Sequence, residues 1–321
     1  MKKIIIAALV LSVAMTSCYK DYVEDFDFTS IYFPYQTNVR TFVVGEGMKV
    51  EVGAALAGLR ENSQNRIVNF TMDNSLITAD ILAAMKVGAG YIKDAVASVT
   101  ALKPMPTTYY SISDKSKMEI KAGNHMGSVL IKADSAAFLN DTNTLRPVYA
   151  LPFMITSADA DSIRVGKGSA VIAFKYENML FGNYWHGGVT VVKDAAGNVV
   201  KTTNYFTTIP TPEIKIMNLK TVAPNALVTN KISDQTGSLK LTLSGTNITV
   251  SQANGSAVKV QPDGASTFNR SKLLQDRRIY LKYKYANPDG TTSYATDTLT
   301  FRNRIRDGVN EWQDENPENY K

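Results

Sequence analysis

The stretch 239-LKLTLSGTNITV-250 alternates apolar and polar residues on both sides of a short turn. Alternation with a period of two places one set of side chains on each face of a β-strand. The turn Ser244-Gly245-Thr246-Asn247 contains a glycine, which lets the backbone reverse direction between the two strands. The stretch therefore predicts an antiparallel hairpin, and a chain built by repeating this unit has an all-β fold.

The same hairpin pattern recurs through the second half of the chain, from residue 177 onward. Val189–Lys193 and Val199–Lys201 flank a glycine-containing loop, and residues 279–285 alternate between an apolar face and a face that carries lysines. Asn287-Pro288-Asp289-Gly290 is a turn, because proline presets φ and glycine permits a positive φ. Successive hairpins of this kind predict an antiparallel meander that closes into a barrel or folds into a sandwich.

Residues 28–176 show short extended segments separated by turn signals. Ile31-Tyr32-Phe33-Pro34 is a first strand cut off by proline, and Arg66–Met72 has the length and pattern of another. Between Ser75 and Val87 the apolar residues recur at helical spacing and predict one short amphipathic helix. The strands predict an antiparallel sandwich. About 300 residues are enough for two domains of ordinary size, so the predicted domains are 28–176 and 177–321.

A secretory leader is predicted for residues 1–17. Met1-Lys2-Lys3 is a short basic start, Ile4–Met15 is almost unbroken apolar sequence, and small residues precede the only cysteine, Cys18. This is the signal-peptide pattern, and its apolar run is shorter than the roughly 20 residues that span a bilayer. The leader resembles a bacterial lipoprotein signal, although Met15 stands where leucine is usual. We therefore expect lipid attachment at Cys18; the alternative is an ordinary leader with an incidental cysteine.

The predicted anchor and the segment after it determine the expected location. Each buried methylene contributes about 0.8 kcal/mol, so the several acyl chains that bacterial lipoproteins carry hold them firmly to a membrane. Residues 18–27 contain four acids and form the predicted acidic tether. The tether resembles the acidic export tag of Bacteroidetes lipoproteins. This resemblance implies an outer-membrane protein exposed at the cell surface, with retention in the periplasm as the alternative.

The composition excludes several classes of protein. One cysteine leaves no disulfide scaffold and no cysteine-ligated metal site, and two histidines are too few for a typical histidine-based zinc site. Removal of residues 1–17, which contain Lys2, Lys3 and no acid, lowers the formal charge from +6 to +4, too balanced for a nucleic-acid-binding protein. No EF-hand loop, phosphate loop or Gly-x-Ser-x-Gly elbow occurs. We therefore expect no cofactor, no metal and no nucleic-acid partner.

Five segments of the first half occur in the order and spacing of a known family. They are Ile31-Tyr32-Phe33-Pro34, Val68-Asn69-Phe70-Thr71-Met72-Asp73, Leu102-Lys103-Pro104 with Tyr109-Tyr110, Met118-Glu119-Ile120-Lys121-Ala122-Gly123, and Tyr149-Ala150-Leu151-Pro152-Phe153-Met154-Ile155. Together they resemble the N-terminal domain of Bacteroidetes polysaccharide-utilisation lipoproteins known as domain of unknown function 1735. The resemblance implies an immunoglobulin-like β-sandwich over 28–176 and a glycan-related setting on the cell surface, but no particular activity.

The second half resembles a second domain. It opens on Phe181-Gly182-Asn183-Tyr184-Trp185-His186-Gly187-Gly188 and ends in a charged tail that includes Asp307-Gly308-Val309-Asn310-Glu311-Trp312. With the meander between them, these segments resemble the calycin-like domain of unknown function 4361, which is often found behind the N-terminal one. The resemblance implies a calycin-like barrel or sandwich over 177–321.

Aromatic residues are the candidates for a ligand site. Sugar rings present flat C–H faces that stack on tryptophan and tyrosine, while amides and acids bind the hydroxyl groups. Trp185, Trp312, Tyr184 and Tyr205 are the candidate glycan-stacking residues, and His186 is a candidate contact beside Trp185. Tryptophans more often pack in or near a core, so a structural role is the alternative for each. We predict no catalytic residue.

Three functional hypotheses remain open. The first is a non-catalytic outer-membrane surface lipoprotein that binds glycan for a polysaccharide-utilisation system and helps to present it to an outer-membrane importer. The second is a surface scaffold that contacts proteins and no sugar, which an exposed apolar patch without an aromatic cleft would favour. The third is a hydrolase with an unfamiliar site, which paired carboxylates about 5–10 Å apart in a cleft would favour. We predict the first, and therefore a protein that is not an enzyme.

Overall fold

The computed structural model describes residues 28–205 and 215–313. These residues are mostly β-strand, so the predicted all-β fold is confirmed. The strands are β1 Ser30–Tyr32, β2 Thr37–Val44, β3 Lys49–Ala57, β4 Arg66–Thr71, β5 Lys103–Pro104, β6 Tyr110–Ile112, β7 Lys117–Ile120, β8 Met126–Ala133, β9 Tyr149–Ala158, β10 Ser162–Ile163, β11 Ser169–Asn178, β12 Gly182–Lys193, β13 Val199–Tyr205, β14 Lys215–Ala223, β15 Ala226–Thr229, β16 Lys231–Ile232, β17 Gln235–Thr236, β18 Leu239–Ser244, β19 Asn247–Gln252, β20 Val260–Pro262, β21 Ser266–Phe268, β22 Arg278–Ala286, β23 Thr292–Arg306 and β24 Val309–Glu311. The α-helices are α1 Ala79–Val87, α2 Gly90–Val96 and α3 Ser135–Asn140, and short 3₁₀ helices cover Asn74–Leu76, Thr107–Tyr109, Thr142–Leu145 and Leu274–Asp276.

The first half of the chain is a two-sheet sandwich. One sheet has the strand order β10-β1-β3-β8-β6, and the other has the order β2-β11-β9-β4-β7 with β5 added beside β9. Alternate side chains of β8 are buried, as expected for a strand with one face on a core. The core between the sheets includes Ile31, Val52, Val129 and Ile131 from the first sheet and Phe42, Val68, Phe153 and Phe174 from the second.

Three strand pairs of the sandwich are parallel, whereas the sequence pattern predicted an antiparallel sandwich. β1 lies parallel to β10, β5 to β9, and β2 to β11 over eight paired residues. The strand β2 was not predicted, because its apolar residues do not alternate. Both of its faces are covered, since Val39 packs under the helices and Phe42 packs in the sandwich core. A strand buried on both faces carries no period-two pattern.

Two short helices cover the outer face of the sheet that contains β2. The buried side chains of α1 and α2 form a separate apolar cluster with that sheet. The sequence predicted one helix over Ser75–Val87, but α1 begins only at Ala79. Thr78 caps it by accepting a hydrogen bond from the Ile81 N–H at 3.3 Å. α2 has seven residues and is too short to show a helical period in the sequence.

The second half of the chain is a closed antiparallel barrel. Its ring follows the order β12-β14-β15-β18-β19-β21-β22-β23, and each strand pairs antiparallel with the next. The ring closes because β12 also pairs with β23, from Asn183 opposite Asn303 to Lys193 opposite Thr292. The predicted meander is therefore confirmed, and it takes the form of a barrel whose interior is filled by apolar side chains.

The ring closes over a glycine that has no room for a side chain. Gly188 pairs with Asp297, and a Cβ on Gly188 would lie 2.2 Å from the carbonyl oxygen of Thr296. Its φ of +150° is also a conformation that other residues rarely adopt. We expect Gly188→Ala to lower the free energy of unfolding by about 2–3 kcal/mol, as measured by chemical denaturation. Gly90→Ala is the control, since a Cβ there meets no atom within 4 Å; equal stability of the two variants would contradict the prediction.

A buried charge cluster joins the sandwich to the barrel. Glu46, in the turn between β2 and β3, accepts two hydrogen bonds from Arg304 at 2.9 Å and one from Arg277 at 2.7 Å. Both arginines are 1% exposed. Burial raises the pKa of Glu46, but the hydrogen bonds and charges of Arg304 and Arg277 outweigh burial and hold the pKa below its ordinary value. Glu46 therefore stays ionised and compensates two buried cations.

A second contact between the halves comes from the turn between β23 and β24. Asp307 in this turn accepts hydrogen bonds from the Thr41 N–H at 3.2 Å and from the Thr41 hydroxyl at 2.8 Å. Only residues 179–181 separate β11 of the sandwich from β12 of the barrel. The domain division expected between residues 176 and 177 falls inside β11, and the division itself stays a prediction.

Candidate functional site

The five candidate ligand residues divide between the barrel interior and its outer surface. Tyr184 and His186 of β12 point inward and are 0% exposed, whereas Trp185 between them points outward and is half-buried. Tyr205, the last residue of β13, is buried. Trp312 lies just beyond β24 and is 57% exposed. The candidates therefore form an interior group, Tyr184, His186 and Tyr205, and an outer group, Trp185 and Trp312.

The interior group surrounds the carboxylate of Asp297 on β23. The Tyr205 hydroxyl donates a hydrogen bond to Oδ1, and the Tyr283 hydroxyl donates one to Oδ2 at 2.7 Å. Nε2 of His186 lies 3.2 Å from the same Oδ2, at an angle outside hydrogen-bond geometry. Neither ring nitrogen of His186 has a hydrogen-bond partner among the described residues. Asp297 is 1% exposed, so this carboxylate is held almost entirely by protein groups.

Ser233 and Thr190 extend this buried cluster. The Ser233 N–H donates to the Tyr283 hydroxyl at 2.6 Å, and the Ser233 hydroxyl contacts those of Thr190 and Tyr205. Burial and the Asp297 carboxylate raise the pKa of Tyr205 and of Tyr283 well above the ordinary value for tyrosine. Both phenols therefore stay protonated and serve as hydrogen-bond donors to Asp297.

Ser233, His186 and Asp297 share the cluster without forming a nucleophile–base–acid arrangement. The Ser233 hydroxyl contacts Thr190, Tyr205 and Asp234, and within residues 28–205 and 215–313 it makes no hydrogen bond to His186. An activated serine needs a hydrogen bond to its general base. The cluster therefore links β12, β13, β22 and β23 inside the barrel, while the non-catalytic character of the protein stays a prediction.

Four asparagines form a ladder across neighbouring strands on the outside of the barrel. The side-chain amide of Asn218 donates to Asn183 at 3.0 Å, Asn183 donates to Asn303 at 3.2 Å, and Asn303 donates to Asn310 at 2.7 Å. Paired strands lie about 4.8 Å apart, so the ladder presents a regular row of amides. Each side-chain amide has two N–H donors and an oxygen with two lone pairs. The ladder uses only part of this capacity and leaves donors and acceptors for a ligand.

Arg302 covers the ring of Trp185 beside the ladder. Its guanidinium carbon lies 4.8 Å from the ring centroid, which is a cation–π stack. The strand register shifts here, since Asn183 pairs with Asn303 but Tyr184 pairs with Phe301, and Arg302 is left as the unpaired residue of a bulge. Bulges re-aim side chains. This one directs an exposed guanidinium over the outward-facing tryptophan.

Trp312 completes the outer surface. It comes two positions after Asn310, and Glu311 between them pairs with Arg304 across the β23–β24 hairpin. Its indole ring is the most open candidate for stacking, because the Trp185 ring is covered by Arg302. We call this outer surface the amide face, which consists of Asn183, Asn218, Asn303, Asn310, Trp185, Arg302 and Trp312.

Sequence reasoning found the aromatic residues of the amide face and missed its polar ones. Trp185 and Trp312 were selected by residue type alone. Asn183 and Asn303 are 120 positions apart in the chain, so no local pattern connects them. Both lie outside the segments that the sequence predicted as strands, so neither was singled out. Tyr184, Tyr205 and His186 lie inside the barrel and are not part of the amide face.

A cleft of about 290 Å³ lies between the sandwich and the β23–β24 hairpin. Its polar lining groups are largely engaged with one another. Lys175 contacts Glu177 at 2.5 Å, and Asp307 binds Thr41. The cleft therefore offers fewer free hydrogen-bonding groups to a ligand than the amide face does.

Several predictions fall outside what this structure tests. The leader, the tether 18–27 and the lipid-attachment residue Cys18 lie outside the described residues. Within the described part of the chain, no three His, Cys, Asp or Glu side chains come together in a way that could hold a metal ion. None of the helices in residues 28–205 and 215–313 has the length and apolar character needed to cross a membrane.

Comparison with known families and curated proteins adds one match. A family model described as a "-like, N-terminal domain" matches residues 26–162, which lie mostly in the sandwich. The comparison with curated proteins finds no match.

One solved structure shares the fold of this chain, and two others are less similar to it. A structural-genomics protein of unknown function from Bacteroides ovatus is 20% identical, with 90% of this chain and 99% of that chain covered and a TM-score of 0.61. A multidomain protein including DUF1735 from the same organism is 13% identical over 89% of this chain and 100% of that chain, with a TM-score of 0.41. A candidate carbohydrate binding protein from Bacteroides ovatus ATCC 8483 is 12% identical over 88% and 71%, with a TM-score of 0.28. The first likeness shows a shared fold, and the two lower ones carry no argument about function.

Proposed function

We propose that this protein is a non-catalytic lipoprotein of the outer-membrane surface that binds glycan at the amide face. The observation that carries the proposal is a cross-strand ladder of four asparagines with an exposed tryptophan, Trp312, two positions after its last member, Asn310. A sugar has two kinds of surface, an apolar C–H face and a rim of hydroxyl groups. An open indole suits the first, and a row of side-chain amides with free donors and acceptors suits the second.

The sequence supports the anchored location in this proposal. Residues 1–17 have the pattern of a leader, Cys18 stands at the expected lipidation point, and 18–27 resemble an acidic export tag. The resemblance of the two halves to domains of unknown function 1735 and 4361 supports a role in a polysaccharide-utilisation system. Its expected partners are the membrane, through lipidated Cys18, a glycan, and an outer-membrane importer that receives the glycan.

We expect Trp312→Ala to weaken glycan binding about tenfold or more, because exposed aromatic contacts are typical hot spots of binding sites. The free energy of unfolding should change by less than about 0.5 kcal/mol, since the ring is largely exposed. The measurement is isothermal titration calorimetry of residues 28–321 with the best oligosaccharide from a panel of plant, host and microbial glycans.

Tyr280→Ala is the matched control for this substitution. Tyr280 is 44% exposed on the outside of β22, opposite Thr298, and it is an exposed aromatic residue that is not one of the seven residues of the amide face. Its removal should leave glycan binding unchanged. A Trp312→Ala variant that binds as tightly as the Tyr280→Ala variant would contradict the assignment of the site.

A scaffold role is the second candidate function, and the free edge of β13 favours it. Val199 and Val200 on this strand are 60% and 61% exposed. Within residues 28–205 and 215–313, β13 pairs with β12 along one edge only, and an unpaired edge can accept a strand from another protein. If the protein binds no glycan of the panel, this result would favour the scaffold role over glycan binding.

A further inference from the structure

We infer that the amide face binds acidic glycans, with Arg302 as the residue that binds the carboxylate of a uronic acid. The inference rests on the proposed function and specifies its ligand class. Its first observation is that Arg302 has no ion-pair partner among the described residues. Within residues 28–205 and 215–313, the Arg302 side chain forms a stack on Trp185 and no ion pair or hydrogen bond.

The stacked geometry leaves the hydrogen-bonding groups of Arg302 available. A guanidinium is planar, and its five N–H donors lie in that plane. The guanidinium carbon lies 4.8 Å from the centroid of the Trp185 ring, and within the described residues none of the N–H donors of the group makes a hydrogen bond. The stack also limits the freedom of a long side chain, so less entropy is lost when a ligand binds. Arg302 is therefore preorganised to bind a planar carboxylate through two parallel hydrogen bonds.

Among the described residues, the acidic neighbour of the amide face does not oppose an anionic ligand. Glu311 is the acid on the adjacent strand β24, and it is engaged by Arg304 through Nε at 2.5 Å and by Arg306 through Nε at 2.7 Å. Arg304 in turn binds Glu46. The acid beside the amide face is thus already compensated, whereas Arg302 is not paired in the described structure.

The ladder and Trp312 provide the remaining contacts of such a ligand. A uronic acid has the same ring as a neutral sugar, with a carboxylate in place of one hydroxymethyl group. Arg302 would bind this carboxylate, the amides of Asn183 and Asn303 would bind hydroxyls, and Trp312 would stack on a ring of the chain. A neutral glycan would leave the Arg302 donors with water as their partner.

The test measures binding of residues 28–321 to matched pairs of oligosaccharides. One member of each pair is an oligomer of galacturonate, glucuronate or mannuronate, and the other is the same oligomer after reduction of its carboxyl groups. We expect at least one acidic oligomer to bind about tenfold more tightly than its reduced counterpart, because charge-assisted hydrogen bonds are the stronger ones. Arg302→Gln should abolish this preference, and Arg302→Lys should restore only part of it, since lysine lacks the planar fork. Raising the salt concentration should weaken binding of the acidic oligomer.

Arg164→Gln is the control variant. Arg164 also stacks on an aromatic ring, that of Tyr32 at 5.6 Å, but it lies in the sandwich. It should retain the preference for the acidic oligomer. The inference fails if the wild type binds acidic and reduced oligomers equally, or if Arg302→Gln keeps the preference. Binding of neutral glycans alone, with loss in Trp312→Ala, would overturn this inference and leave the proposed function standing. If no glycan binds, both fail.

Discussion

Glu46→Gln is expected to lower the free energy of unfolding by about 3–5 kcal/mol, because it removes the carboxylate that pairs with the buried guanidiniums of Arg277 and Arg304. Both guanidiniums are 1% exposed, so water cannot take over the role of the carboxylate. The measurement is urea denaturation at pH 7 followed by circular dichroism. Glu51→Gln is the control, since Glu51 is an exposed acid of β3 whose recorded partner is the Ser128 hydroxyl. It should cost less than about 1 kcal/mol.

The difference in stability between the wild type and Glu46→Gln should depend on pH, and the pKa of Glu46 determines the direction of this dependence. The folded-state pKa of Glu46 is below its ordinary value, which is about 4.3 in an unfolded chain. A depressed pKa contributes stability that is fully present above the unfolded value and is lost as the pH falls through the folded value. The stability difference between wild type and Glu46→Gln should therefore be constant from pH 7 to about 5 and shrink below about 4. A difference that grows in acid would contradict the ionised state of Glu46.

Asp297→Ala is expected to cost about 3–5 kcal/mol for a different reason. It leaves two buried phenols, Tyr205 and Tyr283, without the acceptor to which both donate, and it opens a cavity next to His186. Asp263→Ala is the control, because Asp263 is 37% exposed and lies 3.8 Å from Lys284, which is a weak surface pair. Thermal and chemical denaturation of both variants would measure the difference.

A double-mutant cycle separates the hydrogen bond from the cavity. Tyr205→Phe removes only the hydroxyl that donates to Asp297. It should cost about 1–2 kcal/mol in the wild type and much less in the Asp297→Ala background, because the two groups act as one network. Additive costs would mean that the buried cluster is not coupled and that the loss in Asp297→Ala comes from packing.

Local pattern was sufficient to predict the strands that have one face on a core. The alternation in 239–250 corresponds to β18 and β19, and that in 279–285 corresponds to β22. The meander follows from such hairpins, as in β18–β19 and β22–β23, whereas its closure into a barrel depends on the long-range pair β12–β23. β2 could not be found in this way, because it is covered on both faces. Its parallel pairing with β11 joins residues more than 130 positions apart, which no local pattern encodes.

The residues of the site also fall into two groups, those that local sequence can identify and those whose role depends on long-range strand pairing. The aromatic candidates were recognisable by type, and alternation along β12 could have separated the inward Tyr184 and His186 from the outward Trp185. The importance of Arg302 depends on a bulge, and that of Asp297 depends on four strands that meet inside the barrel. Both arise only when the ring closes. Sequence reasoning could therefore suggest ligand-binding residues but could not tell which ones face solvent together.

Closure of the ring between β12 and β23 has a consequence for the synthesis of the protein. β12 pairs with β23, which begins only at Thr292, so nearly the entire barrel must be synthesised before its first strand finds its last partner. Until then β12 presents a long unpaired edge, and pairings between distant segments form slowly. A chain that ends before residue 292 would lose the closing strand, the Arg304 contact to Glu46, and Arg302, Asn303, Asn310 and Trp312 of the amide face. A premature stop near the carboxyl end should therefore yield an aggregation-prone chain with an open edge rather than a slightly shortened binding protein.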